Sequence, residues 1–195
     1  ITQIDYVTEL HKRVINDGGL LIVDPAMADN GKLYYGFDEE FVKHMAGLCA
    51  TADIILPNIT EAAFMTGSEL KLDNHDESYI KMLIEKLASL GAKNIILKGI
   101  RYNEKELGVA VYNSRDKSLK YYFTERIDKS SHGTGDCYAA AFTGSLMQGK
   151  SIFDAAGIAA EFVLECIKKT IDDESHWYGV KFERALPMLV AELNK

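Results

Sequence analysis

The chain has 195 residues, 47% of them hydrophobic, and 22 Lys and Arg against 29 Asp and Glu give it a net charge of −7. That length and apolar fraction suffice for one sizeable core, so a single domain over 1–195 is expected. The acidic balance, without a basic stripe or an aromatic-plus-arginine cluster, excludes a nucleic-acid track, and the apolar runs are far short of the ~20 residues that cross a bilayer.

No charged-then-apolar signal segment opens the chain, and Cys49, Cys137 and Cys166 are widely spaced without a C-x-x-C pair. Neither a disulfide framework nor a zinc site is therefore expected, and a reducing cytoplasm is the expected compartment. Cys137 adjoins Asp136 and reads as a small buried helical thiol.

In chain order, Ile4, Val7, Leu10 and Val14 recur at helical spacing, and Asn16-Asp17-Gly18-Gly19 closes that helix. Leu20-Leu21-Ile22-Val23 is a continuous apolar run, the pattern of a strand covered on both faces, and Ile54-Ile55-Leu56 and Ile95-Ile96-Leu97 repeat it. Helical stretches precede the latter two, from Asp38 to about Ala50 and from Glu77 to about Leu90. Strands alternating with helices predict an open, mainly parallel α/β sheet. Val109–Tyr112 and Leu119–Phe123, joined by Asn113-Ser114-Arg115-Asp116-Lys117, predict an antiparallel hairpin at its edge. Helices follow over Gly135–Gln148 and Ile152 to about Lys168, and a last one carries Phe182, Leu186, Leu189 and Leu193. Trp177 and Tyr178 read as packing anchors, and His11, His44, His75 and His176 have no ligand-like spacing.

Open α/β sheets bind ligands beyond the carboxyl ends of their parallel strands, which directs attention to the residues after each apolar run. The first run ends in Asp24-Pro25-Ala26-Met27-Ala28-Asp29-Asn30-Gly31, the second in Pro57-Asn58-Ile59-Thr60-Glu61 and the third in Lys98-Gly99. Carboxylates at such a rim suit Mg²⁺, a hard ion that shares oxygen ligands with phosphates, and a lysine there meets a nucleotide phosphate as a point charge. Each residue also has an ordinary reading: Asp24-Pro25 ends a strand, Thr60 caps a short helix begun by Glu61, and Lys98 is a solvated strand end. Their shared position favours the functional one.

The fourth element is His132-Gly133-Thr134-Gly135-Asp136, leading into a helix with Ala139, Ala140, Ala141 and Gly144. Its glycines permit close backbone approach, and the amides of a helix start attract anions. An aspartate in a first turn also suits capping, but capping requires neither glycine. Phosphoryl transfer needs positioning, neutralised charge and an acceptor for the hydroxyl proton. Asp136 is assigned as that acceptor, Gly133, Thr134 and Gly135 as the anion hole, and Asp29, Asn58 and Glu61 as organisers of Mg²⁺ and its waters.

Asp-Pro-x-Met-x-Asp after a strand, Pro-Asn-x-x-Glu after the next, Lys at the third and Gly-Thr-Gly-Asp before a helix together resemble the ribokinase-like superfamily, and more narrowly the pyridoxal (vitamin B6) kinases, over about residues 4 to 170. The resemblance implies ATP-dependent phosphorylation of the 5′-hydroxymethyl of pyridoxal, pyridoxine or pyridoxamine, with Mg²⁺ and often a monovalent cation such as K⁺, by a homodimer. It places Asp24, Leu56, Glu61 and Lys98 on the nucleotide side and Asp136 as the substrate-side base, beside the assignment of Asp29 and Glu61 to the metal made above from the strand ends. The related hydroxymethylpyrimidine kinases usually carry Gly-Thr-Gly-Cys where this chain has Asp136, although His132-Gly133 and Lys98-Gly99 are similar to theirs. Ala28 stands where the B6 family has glycine. Members begin with a strand, a flap-like β element and further βα units that contact the vitamin, so most of the substrate pocket and the N-terminal part of the fold are expected to lie outside this chain. A truncated, non-catalytic nucleotide-binding module is the alternative from another class. The 195 residues alone are expected to be poorly soluble or weakly active, because apolar helix and strand faces would stay exposed.

Overall fold

The structure is a computed structural model that describes residues 1–15, 18–128, 132–173, 175–176 and 178–195. Helix α1 (Thr2–Val14) opens the chain. Strand β1 (Ile22–Val23) follows, then the short strands β2 (Ala28–Asp29) and β3 (Lys32–Leu33), α2 (Glu39–Thr51), β4 (Ile54–Ile55), α3 (Ile59–Thr66) and α4 (Glu77–Ser89). Next come β5 (Asn94–Ile100), β6 (Glu106–Asn113), β7 (Ser118–Glu125), α5 (Thr134–Met147) and α6 (Ile152–Lys168). A 3-10 turn (Phe182–Arg184) and α7 (Leu186–Leu193) complete it. Residues 1–102 with 110–119 form one compact unit, and 103–109 with 120–195 a second.

Five strands make one sheet in the order β1-β4-β5-β6-β7. β1 and β4 pair in parallel with Val23 beside Ile55, and β4 and β5 in parallel with Ile55 beside Ile95. The remaining pairings follow from connector length, since a parallel crossover needs a dozen or more residues and neither the β5–β6 nor the β6–β7 connector approaches that. The bonds agree: the Ser114 N–H reaches the Lys93 carbonyl within the first unit, and the Arg126 N–H the Lys105 carbonyl within the second. The expected open, mainly parallel α/β sheet with an antiparallel hairpin is thus present.

In the first unit, Ile54, Ile55, Leu56, Ile95, Ile96 and Leu97 are all at most 1% exposed. Covering on both faces is why these strands read as unbroken apolar runs. Asp53 secures their start: its carboxylate accepts the Leu21 N–H and the Lys93 ammonium, and its carbonyl accepts the Asn94 amide. Ile80, Leu83, Ile84 and Leu87 of α4 are buried along one face, and α4 packs against both α3 and β5. The stripe of α1 behaves differently. Ile4 is buried, whereas Val7, Leu10 and Val14 are exposed, as expected for a chain with uncovered apolar faces. Asn16 and Asp17, read as the end of this helix, lie outside the described residues.

In the second unit, α5 packs on α6, and the Tyr138 hydroxyl donates to the Ala156 carbonyl at 3.1 Å. Tyr122 of β7 lies over α6 and donates to Glu161 at 3.0 Å. Gly157 makes that approach possible, because a Cβ there would stand 2.9 Å from the Tyr122 ring. The expected final helix is broken into the 3-10 turn and α7. Pro187, in the first turn of α7, supplies no N–H to an earlier turn, which explains the break. Tyr178 stacks on His176 but is 65% exposed, and Trp177 lies outside the described residues.

The fully enclosed centre of the sheet gives a direct test. Ile96→Ala is expected to cost about 2–5 kcal/mol of stability and Ile96→Val no more than about 1.5, read from urea unfolding midpoints. A loss below about 1 kcal/mol for the alanine would contradict a sheet covered on both faces.

Candidate active site

The three parallel strand ends come together in the first unit. Leu56 donates its N–H to the Val23 carbonyl at 2.9 Å, Lys98 donates its own to the Pro57 carbonyl at 2.9 Å, and Asn58 and Lys98 form a parallel bridge. Asp24 follows β1, and its carboxylate receives the Lys98 ammonium at 3.0 Å across the middle strand. Both side chains are largely buried, at 15% and 18% exposure. Lys98 is therefore an ion-paired residue within β5, not a solvated strand end. The strand runs on to Ile100 through Gly99, whose φ of +86° suits glycine. Leu56 is fully buried and fills the core beneath the strand ends.

The turn after β4 is more specific than its sequence suggested. Asn58 caps α3, accepting the Glu61 N–H at 2.9 Å, and Glu61 reaches back to the Asn58 N–H at 2.8 Å, a reciprocal capping box. The reading of Thr60 as the cap is corrected, since Thr60 lies inside the helix. Each of the three polar side chains in this turn has an atom turned toward residues 27–31. The Asn58 amide donates to the Ala28 carbonyl at 2.8 Å, Glu61 Oε1 accepts the Met27 N–H at 3.1 Å, and Thr60 Oγ1 accepts the Gly31 N–H at 3.1 Å.

Those residues form a small hairpin that sequence reading missed. Ala28 pairs with Leu33 and Asp29 with Lys32, and the turn between them has positive φ at Asn30 and Gly31. Asn-Gly is the pair that favours such a turn, and it was the available signal. Asp29 is exposed, and its oxygens accept the Asn30 N–H and side-chain amide, both at 2.9 Å.

Burial dominates the electrostatics. Glu61 is 2% exposed, and loss of water pushes its carboxyl up from 4.5 to about 7, against the opposing pull of the Asn58 and Met27 N–H groups and of Lys98. Burial, then the charges of Glu61 and Asp24, push the Cys49 thiol up to about 12. Among the described residues no group of three or more His, Cys, Asp or Glu side chains is arranged to hold a metal ion. Glu61, with both oxygens committed to N–H groups, is not placed as a direct ligand. The described residues do not build a metal site from protein alone; Asp29, whose oxygens accept only from the adjacent Asn30 among those residues and which is exposed where Glu61 is buried, is the member of the set that an outside ion can reach.

The start of α5, in the second unit, differs from the starts of α2, α3 and α4 in the first unit and of α6 in its own. Those four begin with capping side chains of Asp38, Asn58, Asp76 and Ser151, whereas α5 begins at Gly133, with φ +80° and no side chain to offer. A Cβ at Gly133 or Gly135 would meet nothing within 4 Å. Asp136 lies in the first turn, is exposed and has no hydrogen bond or ion pair among the described residues. Thr134 opens the helix half-buried. Cys137 is half-buried, its thiol pushed up by burial and then by the Asp136 charge.

A family model described as phosphomethylpyrimidine kinase matches residues 1–180. The chain belongs to the phosphomethylpyrimidine kinase family. Among curated relatives, the hydroxymethylpyrimidine/phosphomethylpyrimidine kinase of Bacillus subtilis is 29% identical over 169 residues, covering 86% of this chain and 60% of its own. Among solved structures, a protein from Bacteroides thetaiotaomicron proposed to be a phosphomethylpyrimidine kinase, crystallised with pyridoxal, superposes with a TM-score of 0.89 at 31% identity, over 96% of this chain and 66% of that one. The pyridoxal kinase of Lactobacillus plantarum superposes at 0.78 with 29% identity, over 89% and 62%. The fold is ribokinase-like. This member of the phosphomethylpyrimidine kinase family spans about three-fifths of the length of that curated relative.

Glu61 makes the strand-end cluster pH-sensitive. Its folded value lies above its ordinary one, so its contribution to stability is complete below about pH 4.5 and is lost as pH rises through about 7. Glu61→Gln stays neutral throughout and is expected to remove about 1–3 kcal/mol of that fall, although it forfeits one of the two N–H bonds. Thermal unfolding of both proteins from about pH 4.5 to 8 measures this; parallel profiles would show that Glu61 is not the titrating group.

Proposed function

We propose that the protein is an ATP-dependent kinase that phosphorylates a hydroxymethyl group on a nitrogen heteroaromatic ring, with the 5′-hydroxymethyl of pyridoxal, pyridoxine or pyridoxamine as substrate. The observation that carries this reading is Asp136, exposed and without a hydrogen bond or ion pair among the described residues, in an α5 first turn opened by Gly133 and Gly135. In the reaction, the substrate hydroxyl oxygen forms a bond to the γ-phosphorus of ATP, the bond to the ADP oxygen breaks, and Asp136 takes the hydroxyl proton. The amides of Gly133, Thr134 and Gly135 face the charge on the transferred group. Lys98, steadied by Asp24, and the Asn58–Glu61 turn serve the nucleotide side. Mg²⁺ bound to the nucleotide would be held mostly by phosphate oxygens and water, with Asp29 as the protein carboxylate offered to it.

A B6 substrate is supported by the pyridoxal crystallised with the Bacteroides protein and by likeness to the Lactobacillus pyridoxal kinase. Hydroxymethylpyrimidine is the second reading, favoured by the name of the Bacillus relative. Both present a primary alcohol on a flat, nitrogen-bearing ring.

Side-by-side kcat/KM for pyridoxal and hydroxymethylpyrimidine decides between them, a ratio above one favouring the B6 vitamer. Asp136→Asn is expected to lower kcat by about 10²–10⁴-fold with nucleotide affinity unchanged. Unaltered turnover in that variant would remove Asp136 from the base role, and ATP binding without transfer by the wild type would leave a nucleotide-binding module.

A further inference from the structure

Thr60 has no part in the capping of α3, yet it is only 3% exposed and its hydroxyl oxygen accepts the N–H of Gly31, 29 residues earlier in the chain. Its neighbours make the other two attachments, Asn58 to Ala28 and Glu61 to Met27. Asp29 thus lies between two attachment points, Ala28 before it and Gly31 after it. The turn is also covered from outside, where a Cβ on Gly31 would stand 3.2 Å from Leu70 and 3.9 Å from Leu72. The Asn30-Gly31 turn supplies the reversal, but nothing in a two-residue turn orients this separate two-stranded sheet against the larger one. The side-chain hydrogen bonds that tie it there are those of Asn58, the N-cap of α3, and of Thr60 and Glu61 within the helix.

We infer that Thr60 is a positioning residue: by holding the Gly31 amide, together with Asn58 on Ala28 and Glu61 on Met27, it sets the exposed Asp29 carboxylate in place for the nucleotide and its metal. The functional half rests on the kinase reading above; the mechanical half stands by itself. Asn58 and Glu61 hold the backbone of the same segment, at Ala28 and Met27.

A methyl in place of the hydroxyl removes the acceptor at nearly constant volume, so Thr60→Val is the informative variant and Thr60→Ser the rescue. In Thr60→Val, amide hydrogen exchange at Gly31 is expected to rise about three- to tenfold, the size of one net hydrogen bond. Affinity for ADP in the presence of Mg²⁺, by calorimetry, is expected to fall by a similar factor. Thr60→Ser should restore both. In an Asp29→Asn background, Thr60→Val should weaken ADP binding no further, because the two changes share one route. Unchanged protection of Gly31 in Thr60→Val, a serine no better than valine, additive losses in the double variant, or a lowered melting temperature with ADP affinity intact would each overturn the assignment. A wild-type protein that binds no ADP would instead refute the kinase reading, and exchange at Gly31 with its serine rescue would then decide the mechanical half.

Discussion

Glu61 is 2% exposed, and removing a carboxylate from water costs several kcal/mol unless its oxygens find donors. Here the donors are the N–H groups of Met27 and Asn58. Hydrogen bonds to a charged group are worth about 1.5–3 kcal/mol each, enough to hold the side chain in one place but not to cancel burial. That imbalance is why its carboxyl is still pushed up to about 7. One donor follows β1 and the other follows β4, so satisfying a single side chain requires the two strand ends to close upon each other. The Val23–Ile55 register brings them side by side, and the capping box keeps α3 from drifting as it leaves the sheet.

The Asp24–Lys98 pair works at the same level from the opposite direction. A mostly buried ion pair is weak as a source of stability, because desolvation of both partners consumes much of the attraction. It is strong as a constraint, since losing either partner strands the other charge. Lys98 follows directly on Ile95, Ile96 and Leu97, which are fully buried, and Asp24 keeps a cation acceptable there. The fold thereby maintains a lysine, a carboxylate and a bolted hairpin at one end of its sheet, an arrangement that core packing alone would not require.

Much of this architecture was legible because it depends on local periodicity. The runs Ile54-Ile55-Leu56 and Ile95-Ile96-Leu97 announced covered strands, and the spacing of Ile80, Leu83, Ile84 and Leu87 announced the buried face of α4. The hydrogen-bonding of the strand ends was not legible. Thr60 to Gly31, Asn58 to Ala28 and Glu61 to Met27 join residues 29 to 34 apart in sequence, and no pattern within a helix or strand encodes them. Asn58, Thr60 and Glu61 looked like candidates for ligand chemistry because buried hydrogen-bonding and ligand binding recruit the same residue types. The α1 stripe shows the converse: its spacing correctly called for a helix, but periodicity states which residues share a face and not whether that face is covered.

The relatives are named for pyrimidine and for pyridine substrates, and on the proposed reaction a single framework would suit either. In the proposed reaction the chemical demands end at the hydroxymethyl oxygen: a base for its proton, amides for the transferred charge, and a cation and carboxylate for the nucleotide. None of these reads the ring that bears the alcohol. Asp136, the Gly133-Gly135 turn and the Lys98 pair would serve an alcohol on either ring alike, so substrate identity is free to change through contacts elsewhere without disturbing them. In that proposed reaction the hairpin held by Asn58, Thr60 and Glu61 would belong to the half that does not read the ring, since the Asp29 it carries would face phosphate and metal. On the proposed reaction, an exchange of one ring for the other would leave Thr60, Glu61 and Asn58 uninvolved, whereas a change in how the nucleotide is held would reach all three through the same hairpin.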